Sequence, residues 1–199
     1  MTAIDDSEQY FEASFEKLDE PDAEYHDIEF EECRFVDCNF SGARFRNCKF
    51  INCDFLRCNL SLVELPGSRL FGVGFKETKL VGVDFTRADW PVFHSDFELR
   101  FQHCVLNDAS FHGLTLNELV LENCKLHDVD FREGDFRESN MTGCDFTHSL
   151  FMRSNLRNVD FTDATGYAID VLNNEIKGAK FSRYEALSLL DGLGVELVD

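Results

Sequence analysis

The chain has 199 residues, 44% of them hydrophobic, and a formal charge of −19 from 38 Asp and Glu against 19 Lys and Arg. That apolar share excludes wholesale disorder, and no apolar run approaches the roughly eighteen residues of a membrane span. With no basic segment leading into an apolar stretch at its start, the expectation is a soluble, cytoplasmic protein with no membrane or direct nucleic-acid contact, drawn instead to basic surfaces, including those that themselves bind DNA.

Residues 1–32 hold thirteen acids and one lysine, a net of −12. The first 24 read as an acidic segment or as a degenerate first coil centred on Phe15. From Phe30 a period of five takes over, through Phe35, Phe40, Phe45, Phe50, Phe55, Leu60, Leu65, Leu70, Phe75, Leu80, Phe85 and Trp90. Residues 25–90 therefore form one stack, of nearly balanced charge. The segment 91–100 contains Pro91 and runs one residue longer than two repeats, which predicts a kink or bulge. Phe93, His94 and Phe97 are its candidates for a contact loop. The period resumes at Phe101 and holds through Leu106, Phe111, Leu116, Leu121, Leu126, Phe131, Phe136, Met141, Phe146, Phe151, Leu156 and Phe161. It decays from Thr165 and returns at Phe181, giving a second stack over 101–181. In 182–199, Ser182 is placed to cap a short α-helix, on which Tyr184, Leu187 and Leu190 recur every third residue beside Leu193. That is more apolar surface than closing one coil requires, so capping plus a symmetric dimer contact is expected.

A five-residue period suits neither a helix nor a flat strand, because it winds apolar positions round the first and alternates their faces in the second. The chain must turn every five residues. Four sides close a square coil of twenty residues, and coils stacked about 4.8 Å apart pair their backbones as parallel strands do. The fold class is therefore all-β: a right-handed quadrilateral parallel β-helix with a short terminal α-helix. The residue two before each centre is usually small, and all eight cysteines fall there. The repeat sets their spacing, so buried reduced thiols are expected rather than disulfides or a metal site, with Cys104, Cys124 and Cys144 in one column.

No phosphate loop, zinc motif or nucleophile elbow appears, and the six histidines are scattered, so neither an enzyme nor a cofactor is expected. What remains is surface. Twenty-residue stacking sets Asp108 below Asp128 and Glu118 below Glu138, with Asp130, Asp135 and Asp145 on nearby sides. Such acidic rows on a rod of even width resemble the phosphate rows of duplex DNA, although Arg132, Arg137, Arg153 and Arg157 interrupt them.

The repeats, as in CRFVDCNFSGARF and CDFTHSLF, resemble the pentapeptide repeat proteins over nearly the whole chain. The ending AKFSRYEALSLLDGLGVELVD is similar to that of their topoisomerase-protecting branch, which includes the Qnr, McbG and AlbG resistance proteins; NLSLVELP, DWP, CVLNDASFHGL and KLHDVDF look most like the albicidin-resistance type. The resemblance implies a homodimer through Tyr184, Leu187, Leu190 and Leu193. It also implies that an acidic surface including Asp128, Asp130, Asp135 and Asp145, beside which the twenty-residue stacking places Asp108, Glu118 and Glu138, binds DNA gyrase or topoisomerase IV and relieves poisoning. A one-residue break without long inserted loops favours protection against albicidin-like or peptide toxins over quinolones. The alternative is a repeat scaffold with an unrelated partner.

Overall fold

The computed structural model describes residues 4–6, 8–91, 97–195 and 198. Short strands pair in parallel at a separation of twenty, as in Phe15 with Phe35, Phe30 with Phe50 and Tyr25 with Phe45. Each coil is tied to both neighbours: the Asn39 N–H donates to the Leu18 carbonyl below and the Phe40 N–H to the Asn59 carbonyl above, both at 2.8 Å. The backbone groups are thereby satisfied although every described strand is three residues or shorter.

The centres fill a square interior as four columns. The first face carries Tyr10, Phe30, Phe50 and Leu70, then Leu116, Phe136 and Leu156 beyond the break; the second runs from Phe15 through Phe55, Phe75 and Phe101 to Phe161; the third holds Phe40, Leu60 and Leu106; the fourth holds Tyr25, Phe45, Phe85 and Phe111. Rings in one column stack nearly parallel, Phe35 on Phe55 at 4.5 Å and 6°, while rings on adjoining faces meet edge-on, Phe30 to Phe35 at 5.3 Å and 75°. Burial of each large centre contributes about 1.5–3 kcal/mol before chain entropy is subtracted.

The turns have a single origin. The residue two after a centre adopts a left-handed backbone, as at Asp37 (φ 55), Asn47 (φ 54), Gly67 (φ 68), Asp108 (φ 59) and Glu138 (φ 63). Only Gly, and next Asn and Asp, tolerate that region cheaply, which explains their abundance at this step. The small position does more than leave room. The thiol of Cys58 donates to the Phe35 carbonyl at 3.5 Å and that of Cys124 to the Phe101 carbonyl at 3.4 Å. Ser68, Thr78 and Ser154 make the same contact to Phe45, Phe55 and Phe131 where cysteine is replaced. All eight cysteines are buried and unbridged. Cys104, Cys124 and Cys144 do stack, each N–H donating at 3.4 Å to the sulfur above, in Cys104 to Cys124 and Cys124 to Cys144. Burial pushes the Cys53 thiol, on the second face, up to about 12, so that thiol stays protonated.

Two expectations need correction. The break is longer than one residue: Phe75 pairs with Phe55 at a separation of twenty but with Phe101 at twenty-six, and Asp84 pairs with Ser110 at the same twenty-six. An excess of six residues enters one side of one coil. A whole extra repeat plus one residue is invisible to a five-residue count, which registers only the remainder. The terminal helix is also a 3-10 helix, Glu185–Leu193, rather than an α-helix. Ser182 does not use its hydroxyl to cap it; that oxygen accepts the Asp163 N–H at 2.8 Å, binding the last coil to the one beneath.

Candidate interaction surface

The acids of the rod sort by their position in the repeat. Asp130, Asp135 and Asp145 stand just before a centre, where the side chain turns back to accept the N–H two residues on: Arg132 at 3.0 Å, Arg137 at 3.3 Å and Thr147 at 3.1 Å. Asn39, Asn59 and Asn140 do likewise, so this is a turn-forming role before it is an electrostatic one. All three carboxylates are also paired. Arg132 reaches Asp130 at 2.7 Å, Arg137 grips Asp135, and His127 Nε2 lies 2.6 Å from Asp145. The Arg132 contact holds the Asp130 carboxyl below its ordinary range, and at Asp135 burial pushes upward but Arg137 prevails.

Asp108, Glu118, Asp128 and Glu138 sit instead on the left-handed corners and are exposed. Asp128 has His148 at 3.7 Å. Glu118 and Glu138 belong to a corner following the first face, where Glu12, Glu32, Asn52, Gly72, Glu98, Glu118, Glu138 and Asn158 succeed one another with no cation. Glu12, Glu32 and Glu98 were missed from the sequence. Glu12 and Glu32 stand two after Tyr10 and Phe30 and are readable from the twenty-residue step alone, whereas Glu98 follows no apolar centre and is reached only by stepping twenty residues back from Glu118. The acidic opening folds as a full coil: Phe15 is buried and stacked 4.9 Å from Phe35, with Glu12, Glu16, Asp22 and Glu32 exposed around it. Among the described residues these four make no ion pair.

Phe93 and His94 lie outside the described residues. Phe97 is not presented: it is 6% exposed, packs edge-on against Trp90 at 5.0 Å, and its carbonyl accepts the Gly72 N–H at 2.9 Å. At the other end the terminal helix packs on the strand Ala168–Ile169 of the fourth face. Tyr184 is 83% exposed, and Leu187 and Leu193 are also exposed, whereas Leu190 is half-buried. The fourth face becomes apolar just there. Its outward pairs include Arg44 and Arg46, Ser110 and His112, Asp130 and Arg132, and then Leu150 and Met152, both exposed, with exposed Leu172 one coil on. Among the described residues no helix is long and apolar enough to cross a membrane, and no group of His, Cys, Asp and Glu is arranged to hold a metal ion.

The family model of the pentapeptide repeat region matches residues 26–100 and 94–161. The chain belongs to the pentapeptide repeat family. Two solved structures of trypsin-treated QnrB1, a plasmid-mediated fluoroquinolone resistance protein, share the fold. One aligns at a TM-score of 0.72 and 17% identity, over 98% of this chain and 99% of QnrB1; the other aligns at 0.65 and 21%, over 97% and 92%. No curated protein matches the sequence.

Proposed function

We propose that this pentapeptide repeat protein is a non-enzymatic protection factor: a dimeric, DNA-mimicking rod that occupies the DNA-binding surface of gyrase or topoisomerase IV and relieves poisoning. The observation that carries this reading is the end-to-end likeness to QnrB1, covering 98% of one chain and 99% of the other. The cation-free corner through Glu98, Glu118 and Glu138, and the acidic first coil, supply charge that a basic DNA-binding surface attracts. The apolar patch of Tyr184, Leu187, Leu150, Met152 and Leu172 supplies a self-complementary contact, at an end whose acids are partly offset by Arg153, Arg157, Lys177, Lys180 and Arg183.

The six-residue excess removes the objection to quinolones that a one-residue break raised, so fluoroquinolones stand beside albicidin-like and peptide poisons as agents to test. The alternative, a scaffold for an unrelated partner, draws on the pairing of Asp130, Asp135 and Glu133 with arginines, which breaks the acidic rows. Gyrase supercoiling and poison-stabilised DNA cleavage, titrated with wild type and a Tyr184→Asp/Leu187→Asp variant, separate the two. Protection by wild type and its loss in a variant that light scattering shows to be monomeric supports the proposal. No change in either activity by wild type overturns it.

A further inference from the structure

A second site lies mid-rod on the second face. The outward ladder there reads Arg34, Asp54, Gly74, Arg100, and Gly74 leaves one rung bare beside the corner residue Gly72. The result is a cleft of about 360 Å³, walled by Arg34 and Asp54 below, by Arg100 and Gln102 above, and flanked by Lys76. That volume suits a small molecule. The bare rung cannot donate from its backbone, because Gly72 and Gly74 already give their N–H groups to Phe97 and Cys53 at 2.9 Å. Recognition falls to the side chains.

Of these side chains Arg34, Lys76 and Asp54 make no ion pair among the described residues, whereas Gln102 already donates to Glu122 at 2.8 Å. Four other cations of this stack are neutralised by the adjoining coil, Arg44 by Glu64, Lys49 by Glu29 at 2.9 Å, Arg57 by Asp37 at 2.7 Å and Arg69 by Asp89 at 2.7 Å, while Arg46, Lys79 and Arg87 have no carboxylate in ion-pairing range among the described residues. Arg34 and Lys76 have no carboxylate in ion-pairing range among the described residues, and Arg100 has Glu98 at 3.5 Å. Asp54 is equally unpaired and leans over the bare rung, where a Cβ on Gly74 would lie 2.7 Å from its Oδ1. Three cations surround one carboxylate, and the complement is two carboxylates with one ammonium. We propose that the cleft over Gly74 binds an acidic α-amino acid group, its carboxylates held by Arg34, Lys76 and Arg100 and its ammonium by Asp54. The guanidinium forks suit carboxylates, and Asp54 selects against simple anions. The proposal is independent of the topoisomerase reading.

Amide chemical shifts of Gly72, Gly74 and Gln102, followed by NMR during titration of the full chain with L-glutamate, are the test. Saturable shifts are expected, weakened roughly tenfold or more by Arg100→Glu or by Gly74→Leu. Gly74 does not have the positive φ that would strain a side chain, and its ladder neighbours all carry one; circular dichroism checks the fold of both variants. Asp54→Asn should weaken L-glutamate while leaving N-acetyl-L-glutamate, which lacks the ammonium, unaffected. A peptide amide beginning with Glu, which keeps the ammonium and side-chain carboxylate but lacks the free α-carboxylate, should bind roughly tenfold or more weakly, and binding as tightly as L-glutamate would overturn the two-carboxylate arrangement. Pyrophosphate binding as tightly as L-glutamate, a gain in affinity on Asp54→Asn, or no saturable shift overturns the proposal.

Discussion

The two halves of the rod solve the same packing problem with different chemistry. From Phe30 to Phe55 every centre is phenylalanine, and the second face stacks Phe15, Phe35, Phe55, Phe75 and Phe101 in one ladder. Beyond Phe101 that ladder continues through Leu121 and Met141 before Phe161. The surfaces differ too. In the first half the pairs of Arg44, Lys49, Arg57 and Arg69 run vertically between coils, whereas in the second vertical pairs such as Arg153 to Glu133 and Lys180 to Asp160 are joined by Arg132 and Arg137, which pair with Asp130 and Asp135 inside their own coil. Vertical pairs join coils; horizontal pairs stiffen a single turn and withdraw acids from the surface. The square coil therefore tolerates many interior and surface solutions, provided the five-residue register and the left-handed corner are kept.

Truncation of centres probes the interior difference most sharply. Phe35→Ala should cost about 4 kcal/mol and Leu121→Ala about 3 kcal/mol, both measured by urea unfolding. Equal losses would mean that ring stacking adds nothing beyond burial. Next in size is the thiol contact shared by both halves. Cys124→Ala should cost about 1–2 kcal/mol, while Cys124→Ser, which keeps a donor for the Phe101 carbonyl as Ser154 does for Phe131, should lose less. Serine losing more than alanine would reduce the position to packing alone.

Acid probes the surface difference more gently. Lys180, with Thr162, holds Asp160 down to about 2, and Arg132 holds Asp130 below its usual range. Depressed carboxyls contribute stability that is fully present above the unfolded value near 3.8 and is lost as pH falls through the folded value. Thermal unfolding should therefore weaken from about pH 4 toward pH 2, and Asp160→Asn should flatten that slope. An unchanged slope would show that these exposed pairs are screened.

Much of this architecture was legible because one period governs the chain: the centres, the small position and the cysteine column follow from spacing and volume alone. What escaped was either hidden by the period or independent of it. The six-residue excess passed as one because five of its residues match a repeat length, and Phe97 looked like loop because it stands off the register, yet apolar area still drew it against Trp90. At Asp130 and Asp135 the residue type was read as charge, although the same carboxylate closes a turn and meets an arginine two residues on. The contact surface is legible least, since a solvated acid and a partner-binding acid look alike in a sequence.

The smallest expected effect tests the corner rule itself. Leu62 holds φ 60 and is 64% exposed, a γ-branched apolar residue where the other described corners place Gly, Asn, Asp or a longer polar side chain. Gly82 stands on the next coil, and a Cβ there would meet Leu62 Cδ2 at 2.7 Å, so the leucine lies over a glycine. Asn47 under Gly67, Asn52 under Gly72, Asn123 under Gly143 and Asn158 under Gly178 show the same stacking with an amide in place of the isobutyl group. Leu62→Asn recreates that pair, relieves left-handed strain and removes an exposed apolar group, so it should stabilise the rod by about 0.5–1 kcal/mol in urea unfolding. A loss would mean that Leu62 covers its neighbours' apolar surface better than its backbone suffers. In that event the left-handed step is dictated by the stacking of coils, and the residue occupying it matters little.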